Sequence, residues 1–356
     1  MPQIYGTPEW EEILTRVRNN DKTLTILDFK GHHIGDAGAQ ELAVALDSNN
    51  CITEFNLISL LGSNRIGPEG MRDLSLALKN RKNMTYFNME YNEIKSLGAQ
   101  NLGDVLRSNL TLTYLNLGSN NIGVSGAEDV ILALKDNKSI THLDLGNNRI
   151  KDTGAALIGQ LLKENNTLIS LNLNQNRITD EGAFKLSQGI KENDTLTSLV
   201  LQSNEITSAG AHFLTEAVQY NHSLTFINMK YNPIKTPDIE VDELMHQVEE
   251  NRIATMQRRD IFVQNLILLA RDKENTQSQS HWSKLPIELM VYIIGFTAYQ
   301  SSKSIGKSPI QIRLCSEFVL KNVEEMNYVL RKAIETKKLF KIIERTSQKK
   351  FLFIAK

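Results

Sequence analysis

Along most of the chain, apolar and polar positions repeat with a period of 28 residues. Each copy opens on an apolar residue, and the eight openings are Leu24, Ile52, Met84, Leu112, Ile140, Leu168, Leu196 and Leu224. Every step is 28 residues except the second, which is 32. Inside a copy, apolar residues three and five places after the opening alternate with polar ones, as at Leu115 and Leu117. That alternation predicts a short strand. An Asn follows in seven copies, from Asn64 to Asn232, with an Ile two residues later; the first copy has His32 in its place. A Gly then opens a run with apolar spacing near 3.6, such as Gly126, Ala127, Val130 and Leu134, which predicts a helix of about three turns.

A fixed period of this length describes units that cannot bury their own apolar face and must stack on their neighbours. Parallel strands need a long crossover, and the helix supplies it. Strands stack more closely than helices do, so the array curves with the strands inside. The recurring Asn can bond unpaired backbone groups in the turn where water is excluded. The Gly lets the chain bend into the helix, and Ala keeps that helix near the sheet. The pattern resembles the leucine-rich repeat, and its helix-bearing 28-residue form resembles the ribonuclease-inhibitor-like subclass, over residues 24–235. The resemblance implies an α/β solenoid of eight repeats, with parallel strands inside and helices outside. His32 departs from it at an end unit, which has one neighbour fewer.

The ends need caps. In residues 1–23, Thr7-Pro8-Glu9 signals a helix start, and Trp10, Ile13, Leu14 and Val17 share one face. Residues 236–271 open on Thr236-Pro237 and predict a closing helix, with Val241, Leu244, Met245 and Val248 as its first stripe, a break near Asn251, and Phe262, Leu266 and Leu269 beyond. Residues 272–283 are polar and aperiodic and read as a linker. Residues 284–356 form a basic region with a helical pattern throughout. It holds 14 Lys and Arg against 6 Glu, net +8, which leaves the first 283 residues at net −9. Its segment Leu285-Pro286-x-Glu288-Leu289-x-x-x-Ile293 resembles the opening helix of an F-box, and the resemblance implies docking on an adaptor of cullin ubiquitin ligases. The later F-box features are poor, since Ser316-Glu317-Phe318 follows Cys315; Pro and Glu in a first turn also describe an ordinary helix start. A basic patch of Arg331, Lys332, Lys337, Lys338, Lys341 and Arg345, interleaved with apolar residues, fits an acidic protein or an anionic membrane surface. It equally fits a solvated helix face over a core.

Candidate chemistry adds little. Seven His are scattered, with no metal spacing, and no phosphate-cradling Gly loop appears. No catalytic residue, cofactor or metal is expected, nor a specific nucleic acid as partner. Cys51 and Cys315 suggest no disulfide framework and a reducing compartment. The N-terminus lacks the basic flank and apolar core of a signal peptide, so a cytoplasmic location is expected. Asn109, Asn137, Asn165, Asn193 and Asn221 each precede a Thr or Ser by two residues, as glycosylation acceptors do. They recur in phase with the repeat, between helix and strand, and are read as helix-ending and turn-forming residues.

Binding has a clearer platform. Residues two and four places after each opening face the concave side. The fourth-place column is nearly uniform and reads as repeat filling. The second-place column varies and holds Tyr86, Tyr114, His142 and Phe226, with Tyr91 and Tyr231 at the rim. Exposed aromatics on such a face are favoured anchors for a protein ligand, although aromatic ladders also stabilise sheets. The four extra residues of the second copy lie in a loop containing Ile58, Leu60 and Leu61, which either folds back on the first unit or meets a partner. These features predict a non-enzymatic interaction scaffold. The joining of a eukaryotic-looking repeat to a helical tail resembles host-directed bacterial effectors, which are translocated without a classical signal peptide. Two further resemblances compete: an F-box-like ubiquitin-ligase adaptor, and the leucine-rich-repeat activators of the small nuclear-transport GTPase. The activators carry an acidic tail, whereas this one is basic.

Overall fold

The computed structural model describes residues 4–59, 64–79, 81–234 and 241–257. Eight three-residue strands form one sheet: β1 Ile26–Asp28, β2 Glu54–Asn56, β3 Tyr86–Asn88, β4 Tyr114–Asn116, β5 His142–Asp144, β6 Ser170–Asn172, β7 Ser198–Val200 and β8 Phe226–Asn228. They pair in chain order and in parallel. Helix α1 is Pro8–Arg18; the crossovers are α2 Gly35–Leu46, α3 Pro68–Lys79, α4 Lys95–Leu106, α5 Gly123–Asp136, α6 Lys151–Glu164, α7 Asp180–Glu192 and α8 Ser208–Tyr220. The fold is the α/β leucine-rich-repeat solenoid that the period predicts. Each residue pairs with its counterpart one copy on, and the insertion in the second copy does not shift this register: Glu54 still faces Tyr86.

The core lies between sheet and helices. The middle residue of each strand is buried, and so is the apolar residue two places later, for example Leu143 and Leu145. At the N-terminal end this layer is aromatic. Trp10, Phe29, Phe55 and Phe87 stack in succession, with ring centroids 5.4, 6.4 and 5.7 Å apart. Trp10 also donates from Nε1 to Glu41 Oε2 at 2.7 Å, so α1 is tied to α2 by packing and by a charge-assisted bond.

Two Asn ladders hold successive units in register. In the turn after each strand, Asn148 is representative. Its Nδ2 donates to the carbonyls of Leu117, Leu145 and Gly146, while its Oδ1 accepts from the amides of Asn120 and Ile122. At the lapse, Asn64 makes the same backward bonds, accepting from the amides of His32 and Ile34. The second ladder consists of the five apparent glycosylation acceptors together with Asn49, which donates to Val17 O and accepts from the amides of Cys51 and Ile52. Asn137 donates to Leu106 O and Asn109 O and accepts from the amides of Ser139 and Ile140. The five acceptors are all buried, with Nδ2 engaged in the preceding unit. Arg81 takes this position in the second unit, buried, donating to Leu46 O and Asn49 Oδ1.

A third interaction explains the Gly of the helix start. Asp152, at the start of α6, accepts from Thr179 N, Thr179 Oγ1 and Gly182 N at the start of α7, at 2.8, 2.8 and 3.1 Å. Asp180 does the same for α8. A Cβ at Gly182 would come within 2.4 Å of that Asp152 oxygen, so a side chain would displace the cap.

Residues 241–257 are helical without interruption, so the break expected near Asn251 is absent. Asn251 instead continues the second ladder, donating to Asn221 O and Leu224 O, which ties the helix to the eighth unit. Leu244 and Val248 are buried and Val241 packs beside the core, whereas Met245 is exposed. A stripe that includes both 244 and 245 is wider than the contact the helix makes. Phe262, Leu266, Leu269, the linker and the basic region lie outside the described residues.

Candidate protein-binding surface

On each strand the middle side chain enters the core, and its two neighbours face the strand side of the solenoid. Because pairing is in register, the outward residues of successive strands form columns. In the second-place column Tyr86 and Tyr114 stack with centroids 4.4 Å apart and planes at 12°, and His142 continues the stack at 6.1 Å. His142 Nδ1 lies 2.9 Å from Thr141 Oγ1, and Tyr86 Oη accepts from Asn88 Nδ2 at 3.1 Å. The rings therefore present one rigid, half-exposed edge across β3, β4 and β5. Phe226 is not part of it. Ser170 and Ser198 intervene, and three strand spacings put Phe226 about 14 Å beyond His142. It is 50% exposed at the far end of the sheet.

The rim residues Tyr91 and Tyr231 adopt φ of 60° and 61°. Their counterparts at this turn are Gly31, Ser119, Asn147, Gln175 and Ser203, also at positive φ. A bulky side chain in the left-handed region costs about 1–2 kcal/mol relative to Gly. Both tyrosines are largely solvent-exposed, so burial does not offset that cost. Of the insertion loop, Ile58 is half-buried. Its carbonyl accepts from Gly31 N, and the neighbouring Ser59 donates its N–H to Glu90 O. The loop thus begins pinned between the first and third units; Leu60 and Leu61 lie outside the described residues. So do Leu285, Pro286, Glu288, Leu289 and Ile293, and the basic patch Arg331, Lys332, Lys337, Lys338, Lys341 and Arg345.

The face also holds a pair of carboxylates that the column reading treats as filling or passes over. Glu90, in the turn after β3, accepts from Asn116 Nδ2 at 3.2 Å. Asp144, on β5, accepts from Gly146 N at 2.8 Å and Asn172 Nδ2 at 2.7 Å. Burial pushes both carboxyls above the usual carboxylate range; Asp144 adds to the shift at Glu90, which Asn116 and Lys30 partly offset. Gly118 lies between them. A Cβ there would sit 3.3 Å from Glu90 Cγ and 3.2 Å from Asp144 Oδ1, so a side chain at 118 would press on both carboxyls. Tyr114 belongs to the same cluster. Its phenol is pushed up to about 12 by burial first, then by Tyr86, Asp144 and Glu90. It therefore stays protonated, and neutral, at physiological pH. The partial sequence signal for this pair is Asp144, one of two acids with Asp28 in a column that is mainly Asn.

Among the described residues, no group of three His, Cys, Asp or Glu side chains could hold a metal ion, and no helix is long and apolar enough to cross a membrane.

Comparison with known proteins agrees with the repeat architecture. The family described as Leucine Rich repeat matches residues 20–43, 108–130, 136–159, 164–187 and 192–214. Among solved structures, leiomodin-1 actin-binding site 2 is 19% identical with a TM-score of 0.41, over 49% of this chain and 95% of that one. The tropomodulin C-terminal domain from Caenorhabditis elegans is 17% identical with a TM-score of 0.41, over 45% of this chain and 97% of that one. No curated protein matches the chain.

Proposed function

We propose that this chain is a non-enzymatic protein-binding scaffold whose strand face holds a protein ligand. The observation that carries this reading is the aromatic edge of Tyr86, Tyr114 and His142, rigid and half-exposed over three strands. Rigid aromatics lose little entropy on binding and contribute large contact area. Tyr91 and Tyr231 support it, because a Gly or Asn would make the same turn at less conformational cost. Affinity capture with the full chain tests the reading against a Tyr86→Ala/Tyr114→Ala/Phe226→Ala variant. Proteins held by the wild type should be lost from the folded variant; unchanged capture would overturn the proposal.

The Leu285–Ile293 segment supports a second reading, a substrate adaptor for a ubiquitin ligase. That reading expects capture of the cullin adaptor by the full chain and its loss in Leu285→Ala/Pro286→Ala. A reducing cellular compartment suits both.

A further inference from the structure

The fourth-place column uses an amide at five of its eight positions, Asn56, Asn88, Asn116, Asn172 and Asn228. Four of these amides donate sideways to the preceding unit: Asn56 to Asp28, Asn116 to Glu90, Asn172 to Asp144 and Asn228 to the Gln202 side chain. Their carbonyl oxygens accept the backbone N–H two residues on, as Asn116 Oδ1 does from Gly118 N at 2.8 Å. Asp144 makes that same bond to Gly146 N. An Asn at 144 would meet that backbone requirement without a charge, but it could not also accept from Asn172 Nδ2 as Asp144 Oδ2 does at 2.7 Å. The carboxylate instead brings a second negative charge into a half-buried site already holding Glu90. No ion pair joins either carboxylate to a basic side chain among the described residues. Two half-buried carboxylates on one face, with no described basic side chain joined to them, leave a negative charge that a cation from outside the chain can offset. The same strand face carries Asp28 and Glu54, against the single cation Lys30, over its first five strands.

We infer that Glu90 and Asp144, on either side of the Gly118 backbone, seat an arginine or lysine side chain from a basic segment of the partner protein. The inference rests on the protein-binding reading above and specifies the partner's chemistry. A guanidinium suits the seat best. It is planar, it can bridge two carboxylates, and it stacks on aromatic faces such as those of the adjoining Tyr86 and Tyr114. Its positive charge relieves the repulsion between the two acids, so seating it favours their ionised forms and releases protons under mildly acidic conditions.

The test is calorimetry on the full chain with octa-arginine, octa-lysine and octa-glutamate peptides at one ionic strength. Octa-arginine should bind more tightly than octa-lysine, and octa-glutamate should not bind. A Glu90→Gln/Asp144→Asn variant should lose at least about tenfold in affinity for octa-arginine. Removing two charges from the helix side, in Glu181→Gln/Glu192→Gln, should leave the affinity within about twofold, which separates the seat from net charge. Titrations at pH 5 in buffers of different ionisation enthalpy should show proton release from the wild type and not from the Glu90/Asp144 variant. Equal affinity in the wild type and that variant would overturn the inference. If that occurred while the triple aromatic variant still lost its captured proteins, the concave-face reading would stand and only the basic-segment proposal would fall.

Discussion

At the scale of single residues, the protein is organised by amides that satisfy backbone groups in two units at once. Asn148 makes three donor and two acceptor contacts with buried backbone, so its replacement strands several polar groups together. Asn148→Ala should cost about 2–4 kcal/mol, read as a lower urea midpoint. Asp144 adds a dependence on pH. Its folded pKa is raised above the unfolded value, so the folded state binds the extra proton. That contribution to stability is fully present below about pH 4 and is lost as pH rises through the folded pKa. The wild type should therefore gain in urea midpoint relative to Asp144→Asn as pH falls, on top of a pH-independent loss in the variant from the broken Asn172 Nδ2 bond. A midpoint difference that does not change with pH would overturn the raised pKa of Asp144. Tyr91 presents a trade in the backbone: Tyr91→Gly relieves a left-handed φ of 60° but adds freedom to the unfolded chain.

At the scale of elements, helix spacing is set by glycines whose reason is invisible in helix propensity. A Cβ at Gly159 in α6 would lie 2.2 Å from the backbone oxygen of Lys185 in α7, and one at Gly189 would meet Gly159 O at 2.2 Å. Gly159→Ala should thus destabilise by about 1–3 kcal/mol, although alanine favours a helix by about 1 kcal/mol over glycine. Thermal unfolding of Gly159→Ala measures which term wins; a higher Tm would show that the helices can part freely. The elements themselves were legible, because strand, turn and helix each have a period that survives in every copy, and because Asn64 to Asn232 mark the same turn. The insertion was legible as a change of step but not in its consequence. Only the pairing of Glu54 with Tyr86 shows that the sheet ignores it. The Glu90–Asp144 pair was illegible for a physical reason. Its members lie two copies apart, and their environment is defined by Asn116 and Gly118 of the copy between them. The uninterrupted helix through Asn251 is not legible in the sequence, because Asn disfavours a helix interior, whereas this amide is occupied by the carbonyls of Asn221 and Leu224.

At the scale of the whole repeat array, each unit is stabilised by its neighbours, so cooperativity passes along the stack and the ends decide where opening begins. The two ends are closed differently. The N-terminal end is sealed by Trp10, which lies 5.4 Å from the Phe29 ring and bonds Glu41. The C-terminal end is sealed by a narrower contact of residues 241–257: buried Leu244 and Val248, and Asn251 bonded to Asn221 O and Leu224 O. Removing that contact with Leu244→Ala/Asn251→Ala uncovers an interface belonging to the eighth unit alone. Amide hydrogen exchange should then speed up for Leu201 and Phe226, whose N–H groups bond Asn228 O and Thr197 O across the last strand pair. Leu117 N and Leu145 N, bonded to Asp144 O and Asn172 O three or more units inward, should keep wild-type protection. Because the Tyr86–Tyr114 stack and the Glu90–Asp144 seat lie over those protected strands, ligand binding there should survive the loss of the cap. Uniform acceleration of exchange along the array would mean that the stack opens as one unit, and that the strand face depends on its distant end.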